Sequence, residues 1–421
     1  MKKQYSAIAK VVRCLYAIML LNIGIFSSAF AQKNIMQKVS TVDSPQYSLL
    51  NIGNITAWFR ADGVAGLSPS RRHLTTFPQG TAGVVYQDGF WWGGKVYLDS
   101  AMTRPVLNPD FPNNFHNIRV GGAMYSSSAR QGRIIGFGAN AVPADSTDPS
   151  ARIYRIRRDY FVMTADELRT DAAELFETTP DSVTAEQVQA IREQYAKDWR
   201  EWPVQFGAPF IDRNGNGRFD PPPQFSENFT AEDLLAANHD EPGIAPAGPD
   251  TPADQVIWMV FNDLARNQDL HPFRSNPFGL EVRVTVWGYK SSVAWGGYYL
   301  KKIEMFNKGG VRLNPAGEKG VLWVDSMYVG QWSDPDIGAF SNDLVGCDTL
   351  RQMGFAYNGH GSDSYFQPFG LLPPAVGYCL VRGPRVQVES GWRYLPMASF
   401  TYCPVVCSYD VPQLEHFYKM L

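Results

Sequence analysis

The chain has 421 residues, with 38 Lys and Arg against 41 Asp and Glu, for a net charge of −3. That balance carries no basic field and argues against a nucleic-acid partner. Aromatic residues make up 13% of the chain (11 Trp, 20 Tyr and 25 Phe), and with 37 Gly and 29 Pro they fit aromatic strands broken by tight turns.

The N-terminus carries Lys2, Lys3, Lys10 and Arg13, then an apolar run from Cys14 to Phe26, and closes on Ala29-Phe30-Ala31 before Gln32. A basic start, a short apolar middle and small residues at the cleavage point form a secretory signal peptide over residues 1–31. A membrane anchor is the alternative, but the run falls short of the roughly 20 residues that span a bilayer, and Asn22 interrupts it. No later stretch is long and apolar enough to span, so no transmembrane segment is expected after signal removal. Residues 32–421 are then exported to the outer cell surface or beyond, and are long enough for two or three domains.

An N-terminal β region is expected over 32–160. Strand candidates are Ile55–Phe59, Gly83–Tyr86 and Lys95–Leu98, the last two flanking a Gly-rich turn, Gly89-Phe90-Trp91-Trp92-Gly93-Gly94, whose Gly pairs around Trp suggest a bulge or a backbone brought close to a neighbouring strand. Core packing is the plain account of this Trp pair; a sugar-stacking platform is the sharper one. A helical insert follows over 161–203. Thr164-Ala165-Asp166-Glu167 and Thr184-Ala185-Glu186-Gln187 are two capping boxes, each opening a helix. In the second helix, Val188, Ile191, Tyr195, Trp199 and Trp202 form one apolar stripe at helical spacing, with Pro203 as the stop. Residues 204–265 hold a polar loop and a Pro-rich acidic segment, with a strand at Val256–Phe261. A C-terminal β-sandwich-like region is expected over 266–421, with strands at Leu280–Val286, Tyr298–Phe306 and Val321–Val329. Residues 280–286 alternate apolar and polar, as in a half-buried antiparallel strand. The expected fold is mainly β: antiparallel, sandwich-like sheets with an inserted helical pair at about 164–202.

The most specific short motif is Asp212-Arg213-Asn214-Gly215-Asn216-Gly217-Arg218-Phe219-Asp220. Oxygen side chains occupy loop positions 1, 3, 5 and 9 with Gly at 6, the front of an EF-hand-type calcium loop. Ca²⁺ takes several oxygens at flexible distances, so the candidate ligands are Asp212, Asn214, Asn216, Asp220 and, by its backbone carbonyl, Arg218. Pro223 stands where the loop would place its bidentate Glu, so a distant carboxylate, Asp240 or Glu241, would complete the shell. An Asx-rich turn satisfied by its own backbone is the alternative. A second acidic group, Asp334, Asp336, Asp343 and Asp348, has no Lys or Arg within it. Such carboxylates repel unless solvated or neutralised by a cation, which makes a second calcium site, a solvated loop and a catalytic carboxylate pair the three readings.

After leader removal Cys347, Cys379, Cys403 and Cys407 remain, an even count that permits two disulfides in three pairings. The six His are scattered, HExxH and GxSxG are absent, and nothing marks a phosphate-binding loop. Catalytic chemistry therefore has no motif behind it.

Several segments taken in order resemble a family of large secreted proteins of the Bacteroidetes and Ignavibacteria type. They are Tyr86 to Lys95, Trp199 to Pro203, Gly207 to Asp212, Asp254 to Trp258 with Asn262-Asp263, Trp332 to Gly338, Val345 to Thr349, Tyr357-Asn358-Gly359 and Pro373 to Tyr378. The resemblance covers most of residues 50–400. It implies export followed by type IX secretion through a C-terminal sorting domain; the chain ends at Leu421 without one, and is read as truncated or a fragment. It implies no particular reaction. The expected function is a secreted or cell-surface protein, structural or adhesive rather than enzymatic and stabilised by calcium. A carbohydrate-binding or carbohydrate-active protein is the alternative, and glycans or other surface proteins are the expected partners.

Overall fold

A computed structural model describes residues 45–107, 117–222, 239–244, 252–264, 275–291 and 294–402. The signal segment, Pro223, Cys403 and Cys407 lie outside the described residues. The strands that build the main sheets are, in chain order, β1 (Tyr47–Leu50), β2 (Ala57–Arg60), β3 (Val64–Gly66), β4 (Gln87–Tyr97), β5 (Ile118–Gly122), β6 (Arg130–Gln131), β7 (Tyr154–Arg157), β8 (Gln255–Asn262), β9 (Leu280–Gly288), β10 (Tyr299–Asn307), β11 (Trp323–Asp334), β12 (Asp343–Asp348), β13 (Met353–Asn358) and β14 (Ala375–Cys379). A hairpin, β15 (Arg385–Val388) and β16 (Gly391–Tyr394), follows. Two helices, α1 (Ala165–Leu175) and α2 (Ala185–Arg200), lie between β7 and β8.

The fold is mainly β, with antiparallel sheets and an inserted helical pair. The first sheet runs β1-β2-β3-β4-β11, with β5 also on β4; the second runs β7-β8-β9-β10, with β6 also on β8. Strands from residues 47–122 and from 323–334 thus share the first sheet. The two sheets enclose one core, which includes Leu50, Phe59, Trp92, Val96, Ile257, Met259, Phe261, Val282, Val284 and Val286. The second sheet carries the helical pair on its other face. There Tyr154, Val256, Trp258 and Val260 meet Leu168, Ile191, Tyr195, Trp199 and Trp202 in a second core.

β8 explains this layering. Its residues are buried at every position. With side chains alternating across the strand, Ile257, Met259 and Phe261 enter the inter-sheet core, while Val256, Trp258 and Val260 enter the helical one. Each such side chain contributes about 1.5–3 kcal/mol on burial.

Both capping boxes form. Thr164 Oγ1 accepts from the Glu167 amide at 3.2 Å while Glu167 Oε2 accepts from the Thr164 amide at 2.8 Å, and Thr184 and Gln187 do the same at 3.2 and 2.9 Å. The stripe residues Ile191, Tyr195, Trp199 and Trp202 are buried. A polar network stitches the pair to the sheets: Arg155 bonds Asp171 at 2.5 Å and Asn51 at 2.7 Å, and Tyr195 donates to Asp171 at 2.7 Å. A charge so placed is tolerated because its donors and acceptors are met.

Two local expectations need correction. Residues 89–94 are not a turn but the middle of β4, one strand of eleven residues. Glycine serves close approach there: a Cβ on Gly89 would stand 2.3 Å from the Ala123 carbonyl oxygen. β9 is not half-exposed either. Its alternate positions Glu281 and Thr285 are buried, because Glu281 is matched by Arg283 at 2.7 Å, Lys308 at 2.8 Å and the Ile134 amide at 2.8 Å. Polar alternation in sequence here encodes paired burial, not solvent exposure.

β11 pairs with β4 over ten residue pairs and is interrupted by a bulge between Asp325 and Tyr328, where Ser326 has φ +50°. A third sheet, β12-β13-β14, follows. Its Ala356 and Val376 join Ile337 and Phe366 in a small core that also takes Ala82, Val84 and Val85.

Candidate functional site

The 212–220 loop hangs between two short strands. Phe210 and Ile211 pair with Pro242 and Glu241, and this brings Asp240 under the loop. Asp240 is fully buried. Its carboxylate accepts from the Arg213 amide at 2.7 Å and the Asp220 amide at 2.8 Å, while its carbonyl accepts from the Trp199 indole at 3.1 Å. The loop is thereby tied to α2.

Within the loop, Asp212 Oδ1 accepts from the Gly215 amide and Oδ2 from the Gly217 amide, both at 2.7 Å. Both glycines have positive φ, +72° and +74°, as the sharp turn requires. Asn214 Oδ1 accepts from the Asn216 amide at 3.0 Å, and Asn216 Oδ1 from the Arg218 amide at 2.7 Å, so the Asx turns of the plainer reading are formed. The side chains nevertheless converge: Asn214 Nδ2 and Asn216 Nδ2 donate to the same oxygen, Asp220 Oδ2, at 2.7 and 2.6 Å. Those two bonds hold the Asp220 carboxyl below the usual range. Asp220 Oδ2 uses both of its lone pairs on these bonds, while the Asp212, Asn214 and Asn216 side-chain oxygens each keep one beyond the bonds described. Glu241 is committed elsewhere, to Arg158 at 2.8 Å and to Arg213.

The second acidic group does not gather as a unit. Asp343 and Asp348 stand at opposite ends of β12, facing Asn358 and Met353 respectively. Asp348 is held by its own turn, accepting from the Arg351 amide at 3.0 Å and its guanidinium at 2.5 Å. Asp334 Oδ2 accepts from the Tyr125 hydroxyl at 2.8 Å. The Asp336 amide donates to the Val84 carbonyl at 3.2 Å. Asp343 Oδ2 accepts from the Ile337 amide at 2.9 Å. Burial, countered by that bond and reinforced by the charges of Asp363 and Asp334, pushes the Asp343 carboxyl up to about 6.

Asp363 is the member that the sequence reasoning missed. It is buried and accepts from the amides of Tyr365 at 2.8 Å and Ala339 at 3.0 Å, and from Asn358 Nδ2 at 3.1 Å. A Cβ on Gly338 would lie 2.2 Å from Asp363 Oδ1, so the glycine of the 334–338 run makes room for this carboxylate. That Gly was the available signal. Among the described residues, no three His, Cys, Asp or Glu side chains are grouped to hold a metal.

A further polar junction was not legible in sequence. Asp88 of β4, buried, is approached by the hydroxyls of Tyr378 from β14 at 3.2 Å and Tyr299 from β10 at 3.4 Å, with Lys301 Nζ at 3.6 Å. Tyr378 also bonds Ser333 of β11 at 2.8 Å. Burial, with the Asp88 charge, raises both phenols well above their ordinary range. Its members come from three sheets and are far apart in the chain.

Comparison with known proteins returns nothing. No family model, curated protein or solved structure matches the chain. Function must be argued from the geometry alone. Trp91 and Trp92 are 4% and 0% exposed, so this pair is core and offers no sugar-stacking platform. No described helix is long and apolar enough to cross a membrane.

Proposed function

We propose that the chain is a secreted or cell-surface structural or adhesive protein, non-enzymatic, whose 212–220 loop is braced by calcium. The observation that carries the calcium reading is the convergence of Asn214 and Asn216 on Asp220 Oδ2, in a loop whose first acid is clamped by two glycine amides. A cation at that point would replace the amide hydrogens, each side-chain amide turning its oxygen to the ion from the backbone amide it now accepts from. The exposed loop suits the millimolar sites of extracellular proteins, and the buried Asp240 would pass the gain to α2. A second calcium site, drawn from Asp334, Asp336 and Asp343, has weaker support, since Asp348 stands apart.

The export part rests on the leader, and passage by type IX secretion rests on the family resemblance alone. The adhesive part is supported by the surface: most of the exposed large apolar side chains among the described residues lie between Trp323 and Tyr402. Carbohydrate binding loses its motivating Trp pair to the core and is the lesser reading.

The test is thermal melting in EDTA and in CaCl₂. At a hundredfold excess over Kd, calcium should add about 2.7 kcal/mol and raise the midpoint, and Asp212→Ala should remove the difference. A melt that does not move between the two conditions sinks the calcium brace.

A further inference from the structure

The hairpin of β15 and β16 carries arginines stacked on aromatic rings. Across its two strands Arg385 pairs with Tyr394 and Gln387 with Trp392. Opposed residues project to the same side, and residues two apart share it, so these four side chains form one face. Val386 and Val388 take the other face and are half-buried. On the first face the Arg385 guanidinium lies 4.3 Å from the centre of the Trp392 ring. That of Arg382, just before β15, lies 5.0 Å from the centre of the Tyr394 ring. The Leu395 amide donates to the Pro384 carbonyl at 2.8 Å and closes the base of the hairpin. Trp392 is 59% exposed and Tyr394 46%, so each ring keeps open apolar surface beside its guanidinium. Arg382 and Arg385 are exposed as well, and among the described residues neither has a carboxylate partner. Residues 381–395 hold three arginines and one acid, Glu389 in the turn, within a chain whose net charge is −3.

We propose that this face of the hairpin binds a uronic-acid polysaccharide. A guanidinium stacked on a ring spends its flat side and keeps its N–H edge, which matches a planar carboxylate with two parallel bonds. The stacking also holds the arginine in place, so less freedom is lost when the carboxylate arrives. An acidic sugar offers both halves of the match: a carboxylate for the arginine edge, and the C–H side of its ring for the open indole or phenol surface. Two rings alternating with two guanidiniums suit a polymer that pairs sparse charge with flat rings. A nucleic acid fits less well, since a charge on every unit calls for an extended basic surface. An acidic peptide brings carboxylates but no ring face for Trp392. The inference rests on the secreted, adhesive reading and gives that adhesion a ligand, at a surface separate from the buried Trp91 and Trp92.

Calorimetric titration of the purified chain tests this, with hyaluronan as the glucuronate polymer and dextran as the uncharged control. Hyaluronan should bind and dextran should not, and added salt should weaken the binding. Arg382→Gln and Arg385→Gln leave both rings in place. Each should weaken binding about tenfold, as the loss of a charge-assisted hydrogen bond does. Arg385→Lys keeps the charge without the fork and should recover only part of the loss. Trp392→Ala should weaken binding as well; if its melting midpoint falls, the two glutamine variants carry the test. Absence of hyaluronan binding at low salt overturns the proposal and leaves the stacks as braces of the hairpin. Binding that neither glutamine variant weakens overturns it too. Tighter binding of oligo(dT), polyglutamate or lightly sulfated dextran would reassign the face to a nucleic acid, an acidic protein or a sulfated glycan. The titration does not depend on where the chain resides. Export is read separately by cell fractionation, so failure of the one is told from failure of the other.

Discussion

Asp263 shows how one buried carboxylate can make stability depend on pH. It accepts from the amides of Phe278 at 2.7 Å, Gly279 at 2.9 Å and Leu280 at 2.8 Å. Burial outweighs those bonds and the nearby Arg119 charge, and pushes the carboxyl up to about 6. The unfolded chain has it near 3.9, so the folded state binds the proton more tightly. Its contribution to stability is therefore fully present below about pH 4 and is lost as pH rises through about 6, by up to about 2–3 kcal/mol. Urea unfolding across pH 4–7 should show this decline. Asp263→Asn should remove its share of that decline, leaving the share of Asp343, whose carboxyl is also pushed up to about 6, while lowering stability throughout by setting an NH₂ group against the Phe278 amide. A variant with the same pH slope as the parent would rule out this carboxylate as the cause. At this scale the sequence named Asp212 to Asp220 because a loop motif is local. It missed Asp88, Asp240's role as a buried clamp and Asp363, because their partners come from distant segments.

The helical pair was the most legible element, since a capping box and an apolar stripe are both written within a few turns of chain. α2 gives the cleanest test. Thr184 satisfies the Gln187 amide and receives support in return. Thr184→Ala should cost about 1 kcal/mol, measured as a lowered urea midpoint with unchanged m-value; a change within error would show that docking on the second sheet, not the cap, holds that helix end. β4 was the least legible. Its glycines allow a turn or a close approach locally; the structure shows the approach, of the Ala123 carbonyl to Gly89 and of the Val324 side chain to Gly94, and only the paired strands decide between the two. β9 misled for a related reason: Glu281 and Thr285 look solvated until Arg283 and Lys308 are placed beside them.

For the whole molecule, the decisive feature is that β8 belongs to two cores. Neither the helical layer nor the sandwich can lose it and stay packed. Unfolding of the described fold should then be one transition, with far-UV circular dichroism and tryptophan fluorescence coinciding, since Trp92 reports the inter-sheet core and Trp199 and Trp258 the helical one. Met259→Ala and Val260→Ala, on opposite faces of β8, should both shift that single midpoint, the former by about 2–5 kcal/mol. Two separated transitions would show that the layers unfold independently. The β-rich class and the antiparallel pairing were legible from strand periodicity. The three-layer order was not, because nothing local says that a run such as Val256–Phe261 is covered on both sides.

β11 stands at one end of the first sheet's strand order, with β4 as its partner there. A strand of twelve residues with one lateral ladder is an invitation to foreign chains. The bulge at Ser326 divides the ladder into runs of three and seven residues and bends the strand between them, so that no straight twelve-residue edge is presented. This small irregularity acts as a guard against fibre growth.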